Sequence, residues 1–151
     1  MTEPVEKDIW RDTWLRYLGY ANEVGESFRA LVSKRIVHVS YAVAFAYTFA
    51  DTGDKSYKML KKDGRPTRVL IEAGDALIWQ TLASVAIPGF VINRICTYSS
   101  LYMKRFPKIT PLARGWLAVG IGLSSIPFIV HPIDRSTTWF MDNTYRRWVK
   151  V

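Results

Sequence analysis

The sequence predicts an all-α fold, an integral membrane protein with about three transmembrane helices plus N-terminal and C-terminal amphipathic helices. Three observations carry this. Charge-free stretches of 15, 18 and 19 residues occupy 36–50, 76–93 and 115–133. Aromatic residues such as Tyr41, Tyr47, Trp79, Trp116 and Trp139 flank them, as expected where helices leave a bilayer. No strand-like alternation persists along the chain.

A spanning helix needs about 20 mostly apolar residues, with a range of roughly 17–25. The second and third stretches reach that length. The first relies on Lys34 and Arg35, whose stems can snorkel and extend its apolar reach. The third holds nine Leu, Ile, Val or Phe residues. Together they contribute roughly −3 to −5 kcal/mol of insertion free energy near a bilayer centre. A soluble bundle with three buried helices is the alternative reading of the same runs.

The 151 residues suit a single helical domain, 1–151. The net charge is +8, which fits nucleic acid or anionic lipid headgroups. The apolar runs favour the lipid bilayer, with an anionic lipid such as cardiolipin among the candidates, and no nucleic acid. One cysteine rules out an internal disulfide and any cysteine-based zinc cluster. The opening "MTEPVEKDIW" has no apolar core and mixes acids with a lysine, so it is neither a secretory signal nor an Arg-rich transit peptide. An organelle address would be internal.

Residues 4–32 read as an amphipathic helix with Pro4 in its first turn. Trp10, Trp14, Tyr17, Ala21, Val24, Phe28 and Leu31 share one face. Spans follow at approximately 34–51, 72–93 and 113–133. The polar run from Asp51 to Pro66 connects the first two, and Pro66 suits a helix start. The 94–114 segment has five basic residues and no acid, with Pro107 and Pro111 breaking it near a membrane surface. Lys104, Arg105 and Lys108 are its candidate lipid contacts. A short terminal helix, 135–149, follows with Asp134 as its N-cap.

Two apolar runs share a design, "SVAIPGFVINR" and "SSIPFIVHPIDR". Pro88 frees the carbonyl of Ser84, Pro127 that of Leu123 and Pro132 that of Phe128. In lipid those carbonyls need internal donors, and the Ser84 and Ser124 hydroxyls are the nearby candidates. Kinked helices packed on partners follow from this, with Gly89 beside the first kink. Pro132 is expected to stop the third span, Arg94 to mark the exit of the second, and Arg135 to lie at the headgroups. Gln80, Ser84, Ser124 and His131 should face protein or water, not lipid. Ala118 with Gly122, and Gly120 with Ser124, form small-residue surfaces for close helix approach.

Catalytic chemistry finds no footing. The two histidines, His38 and His131, lie inside apolar runs, and no metalloprotease motif, phosphate loop or nucleophile elbow is present. No catalytic, cofactor-binding or metal residues are assigned. The remaining readings are a membrane-binding or partner-binding protein, a small transporter or regulator of a carrier or channel, and a soluble basic module. Orientation stays open, because alternate sides of a three-span chain carry eleven and ten basic residues.

Three long segments resemble one family: "RDTWLRYLGYANEVGESFR" (11–29), "ASVAIPGFVINR" (83–94) and "IPFIVHPIDRS" (126–136). In order and spacing they are similar to the mitochondrial fission process protein 1 family, also called mitochondrial 18 kDa protein. The resemblance implies a multi-pass protein of the mitochondrial inner membrane without enzymatic activity or cofactor. It implies a role in mitochondrial fission and inner-membrane integrity, with a link to apoptosis sensitivity and bioenergetics. Partners would be other inner-membrane proteins.

Overall fold

The computed structural model describes residues 8–149, and over those residues the chain is a set of helices joined by short connections. The N-terminal segment comes in three pieces: α1 (Ile9–Asp12), a 3-10 helix (Trp14–Tyr20) and α2 (Ala21–Ser27). Three rods follow. The first is α3 (Lys34–Lys62). The second joins α4 (Pro66–Gln80), a π-helical stretch (Thr81–Ala86) and α5 (Ile87–Met103). The third is α6 (Pro111–Asn143) with the short α7 (Tyr145–Val149).

Local chemistry sets these boundaries. Thr13 is extended at the end of α1, and its hydroxyl accepts from the Leu15 amide. Gly64, at φ 71°, takes the left-handed conformation that closes the α3–α4 turn. Pro66 then opens α4, where its missing N–H costs nothing. Thr110 caps α6 by accepting from the Ala113 amide at 3.1 Å. Ahead of Pro88, the Ile87 amide reaches back five residues to the Leu82 carbonyl. The wider π turn absorbs the proline without a break in the rod.

The rods run antiparallel. α3 lies along α4, and α5 along α6. α2 sits in the groove they leave, against α3, α5 and α6. Contacts fix the two ends of this bundle. Lys55 pairs with Asp8 at 3.0 Å, Arg146 with Asp75 at 2.8 Å, and the Tyr145 hydroxyl donates to the Ile71 carbonyl at 2.9 Å. All three lie toward the α3–α4 turn. At the opposite end, by the α5–α6 loop, Leu31 packs on Gly115 and Asn93 donates to Glu26 at 3.0 Å. The N-terminal segment therefore travels from one end of the bundle to the other.

Several expectations change. Among the described residues two helices, not three, are long and apolar enough to cross a membrane, Pro66–Met103 and Pro111–Val149. The first expected span falls short because Lys34, Arg35, Asp51, Asp54 and Lys55 crowd its apolar run within α3. The connection expected after Asp51 is helical through Lys62. α5 does not end at Arg94 but continues to Met103. Pro132 does not stop the third rod, and Asp134 caps nothing; both lie inside α6. Packing carries the helix through them. Ile133, Thr137 and Met141 are buried, and Trp79 donates to Thr138 at 2.9 Å. The expected terminal helix 135–149 is instead the end of α6 plus α7. Of the expected helix 4–32, residues 4–7 lie outside the described residues, and the rest is broken as above.

Candidate functional site

The polar and apolar faces of the N-terminal segment are inverted relative to a soluble helix. Trp14 and Tyr17 are 70% and 71% exposed, while Asn22 and Glu23 are 0% exposed. Arg16, Glu26 and Ser27 are buried too. The apolar face of the sequence pattern thus points outward at Trp14, Tyr17 and Val24. The same inversion runs through the molecule. Thr48, Asp51, Asp75, Gln80, Ser84 and Thr137 are buried, whereas Phe49, Phe90, Trp116, Phe128 and Trp139 are exposed. Only 22% of the apolar window in the third rod is buried, against 56% in the second.

The interior is held by a continuous chain of polar contacts. Arg16 Nη2 pairs with Asp134 Oδ1 at 3.0 Å, and its Nη1 donates to Ser84 Oγ at 2.5 Å. The Ser84 hydroxyl donates to Gln80 Oε1. Gln80 Nε2 donates to Asp51 Oδ2 at 2.7 Å, and Lys55 Nζ to Asp51 Oδ1 at 2.6 Å. Each link joins separate elements or successive turns of one. A buried charge of this kind persists only when paired and hydrogen-bonded. Above it, Asn22 donates to the Val85 carbonyl at 2.9 Å, and Glu23 stands beside Arg16 and Asp134 with neither oxygen hydrogen-bonded among the described residues.

The predicted polar positions divide. Gln80 and Ser84 face protein, as expected. Ser124 and His131 are exposed. Ser84 and Ser124 donate to no freed carbonyl. Ser84 spends its hydroxyl on Gln80, and in α6 it is Ser125 and Ser136 that bond back, to the carbonyls of Ile121 and Pro132. Pro88 and Gly89 are buried, and a Cβ at Gly89 would lie 2.6 Å from the Tyr41 hydroxyl. Pro127, Pro132 and Arg135 are exposed. Pro127 and His131 line a lateral groove of about 760 Å³ between the N-terminal segment and α6. Of the small-residue pairs, Ala118 and Gly122 are buried, Gly122 against Ser27 and Cys96, whereas Gly120 faces open space.

Charge separates the two ends. At the α3–α4 turn, most cations have carboxylates: Lys55 has Asp8 and Asp51, Lys58 has Asp54, Arg65 has Asp63, and Arg146 has Asp75 and Asp142, while Lys61 and Lys62 are exposed without an ion pair among the described residues. The Arg65 guanidinium holds the Asp63 carboxyl below its ordinary value. Asp54 is also lowered: partial burial works to raise it, but hydrogen bonds from Trp10 and Lys58 prevail. At the α5–α6 loop, Lys104, Arg105 and Lys108 are exposed, and the chain order brings Lys34, Arg35 and Arg114 to the same end. There the carboxylate at hand is Glu26, and Arg29 already occupies it through two bonds of 2.7 Å. Arg94 is exposed on α5, forked onto Asn93 Oδ1.

Asp51, Arg16 and Glu26 were missed as organising residues. Asp51 closes an apolar run and Arg16 lies within an amphipathic pattern, and neither position by itself announces a buried partner. A signal was available in the reach of Arg16 from one polar face toward Ser84 and Gln80, the two costly groups of the second run.

No solved structure matches the chain. The family model for the mitochondrial 18 kDa protein matches at residues 11–76 and 66–140. Curated relatives named mitochondrial fission process protein 1 are similar over nearly the full length. The one from Homo sapiens is 49% identical, over 97% of this chain and 93% of its own length. Those from Caenorhabditis elegans and Danio rerio are 49% and 47% identical, over 96% and 93% of this chain and 90% and 87% of their own lengths. The helical bundle with its inverted faces and one unpaired basic end is thus the structure of a chain that belongs to the mitochondrial 18 kDa protein family.

Proposed function

We propose that this chain is a non-enzymatic, multi-pass protein of the mitochondrial inner membrane that promotes or regulates mitochondrial fission. The observation that carries the membrane part is the inverted surface: buried Arg16, Asp51, Gln80 and Glu26 beneath exposed Trp14, Phe90, Trp116 and Phe128. Water would reward the opposite arrangement, and hydrocarbon rewards this one. The names of relatives at 47–49% identity support the fission part. In this reading the basic end rests on anionic headgroups such as cardiolipin, where each juxtamembrane cation contributes about 1 kcal/mol. The exposed apolar faces then meet lipid or inner-membrane partners. The link to inner-membrane integrity, bioenergetics and apoptosis sensitivity follows the same family resemblance.

The test is complementation. Cells depleted of the endogenous relative receive this chain, and the mitochondrial network is scored for length and connectivity. Restoration of the undepleted morphology is the expected result. A network that stays unchanged while the protein resists carbonate extraction overturns the fission reading. Release of the protein by carbonate overturns the membrane reading instead.

A transporter or carrier-regulator reading ranks second. The polar chain through the bundle motivates it, but Arg16 places a fixed positive charge in its middle, which opposes cation and proton passage. Proteoliposomes that conduct protons above the empty-vesicle leak would favour it.

A further inference from the structure

We infer that the cleft between α2 and α5 at the basic end is a binding site for the phosphate of one anionic phospholipid. The inference rests on the reading that this end meets bilayer headgroups, and it names a particular place there. The cleft has a volume of about 270 Å³, enough for a headgroup phosphate though not for a whole lipid. Its lining includes Arg29, Thr97, Ser100, Leu101 and Lys104.

Spacing on α5 builds the wall. Thr97, Ser100, Leu101 and Lys104 recur at intervals of three and four, so they share one helix face. Neither the Thr97 nor the Ser100 hydroxyl has a hydrogen-bond partner among the described residues, although Thr48, Thr52, Ser56 and Ser125 all bond back to their own helices. The opposite wall is pre-set. Glu26 accepts from both Arg29 nitrogens at 2.7 Å, from the Tyr41 hydroxyl at 2.8 Å and from Asn93 at 3.0 Å. That network fixes the Arg29 guanidinium at the mouth with Nη1 unused.

The charge count fits a phosphodiester. Glu26 and Arg29 cancel, and Lys104 has no ion pair among the described residues, so the cleft carries one net positive charge. Two hydroxyls, one ammonium and one guanidinium edge supply the donors that a phosphate accepts. Depth and surroundings select a lipid over a soluble phosphate or an acidic peptide. Lys104 immediately follows a helix long and apolar enough to cross a membrane, and Leu101 and Tyr98 below it are 52% and 64% exposed, a surface for acyl chains.

Cys96 provides an internal reporter. It is the single cysteine of the chain, it lines the cleft, and its thiol donates to the Ala118 carbonyl at 3.6 Å. The full-length protein is placed in nanodiscs of phosphatidylcholine, with or without cardiolipin, and maleimide alkylation of Cys96 is timed. Lipids retained after release into detergent are read by native mass spectrometry. Cardiolipin is expected to slow alkylation about tenfold and to remain as one bound copy. The Thr97→Val/Ser100→Ala double variant, checked for helix content, loses both effects. Arg105→Glu/Lys108→Glu, outside the cleft, keeps the bound copy and loses only general enrichment of anionic lipid. A folded double variant that retains both effects overturns the site. Equal protection by inorganic phosphate or glycerol phosphate overturns the lipid assignment. If the rim variant leaves enrichment unchanged, the broader reading of the basic end fails on its own.

Discussion

The two ends of the bundle both carry many cations but differ in how many of them are paired. By the α3–α4 turn, Lys55, Lys58, Arg65 and Arg146 each lie within 3.2 Å of a carboxylate. By the α5–α6 loop, Lys104, Arg105, Lys108 and Arg114 have no ion pair among the described residues. Counting basic residues cannot separate these ends, because the difference lies in where the acids went. Asp8, Asp51, Asp54, Asp63 and Asp75 gather at one end, and Glu26 at the other is consumed by Arg29. The lesson is that an internally paired end satisfies itself, while a bare end exports its charge to something outside the chain.

The largest expected effect lies between the ends, where Arg16 ties the N-terminal segment to the second and third rods. Arg16→Met strands Asp134 and should destabilise the bundle by about 3–5 kcal/mol, read as a fall in thermal midpoint in detergent. Arg16→Met with Asp134→Leu should recover most of that loss. If the double variant is no more stable than the single, the pair is not what joins the segment to the rods.

At the bare end, reversing Lys104, Arg105 and Lys108 to Glu should cost about 3 kcal/mol of anionic-lipid association, about 150-fold, and flatten its salt dependence. Lipid exchange in nanodiscs across an ionic-strength series measures it. The same reversal of Lys55, Lys58 and Arg65 should change lipid association far less, because those charges are already neutralised.

A smaller effect tests how α2 is seated near the bare end. A Cβ at Gly122 would come within 2.6 Å of Ser27 Oγ and 2.8 Å of Cys96 Sγ, so Gly122→Ala should cost about 1–3 kcal/mol. Gly120→Ala, with nothing within 4 Å, should be neutral or slightly stabilising. Equal thermal midpoints for the two variants would place α2 elsewhere.

The smallest effect belongs to the paired end. Asp54 accepts from Trp10 at 2.9 Å and pairs with Lys58 at 3.2 Å, and its carboxyl is lowered in the folded state. Its contribution is therefore complete above the ordinary carboxylate value of about 3.9 and fades as pH falls through the lower folded value. Thermal midpoints at pH 7 and pH 5 should differ little through this group. Asp54→Asn should cost under about 1 kcal/mol, since the pair is partly solvated. A larger loss would mean that the paired end is held more tightly than its exposure implies.

Much of this was legible from residues alone. Long charge-free runs announced two of the rods, and the cost of Gln80 and Ser84 in apolar surroundings announced that they face protein. The 3.6 period of residues 10–31 separated a polar from an apolar face. It could not say which face looks inward, because periodicity is blind to whether water or lipid lies outside. Prolines misled for a related reason. Pro132 breaks a helix only when nothing else holds it, and Ile133, Thr137 and Met141 pack on a different rod that the local sequence does not mention. Asp51 closed an apolar run and read as a loop residue, because its partner Gln80 lies 29 positions away.

The passage of the N-terminal segment along the bundle has a topological consequence. Asp8 and Arg146 sit at one end, so the described chain makes an even number of traverses. Its backbone is close to a closed circuit. A circular permutant that joins the two ends by a linker and opens at Pro107 should keep every helix pairing intact. Sequence-distant halves of a split fluorescent protein, fused one to each end, should meet at the α3–α4 end of the bundle within a single molecule.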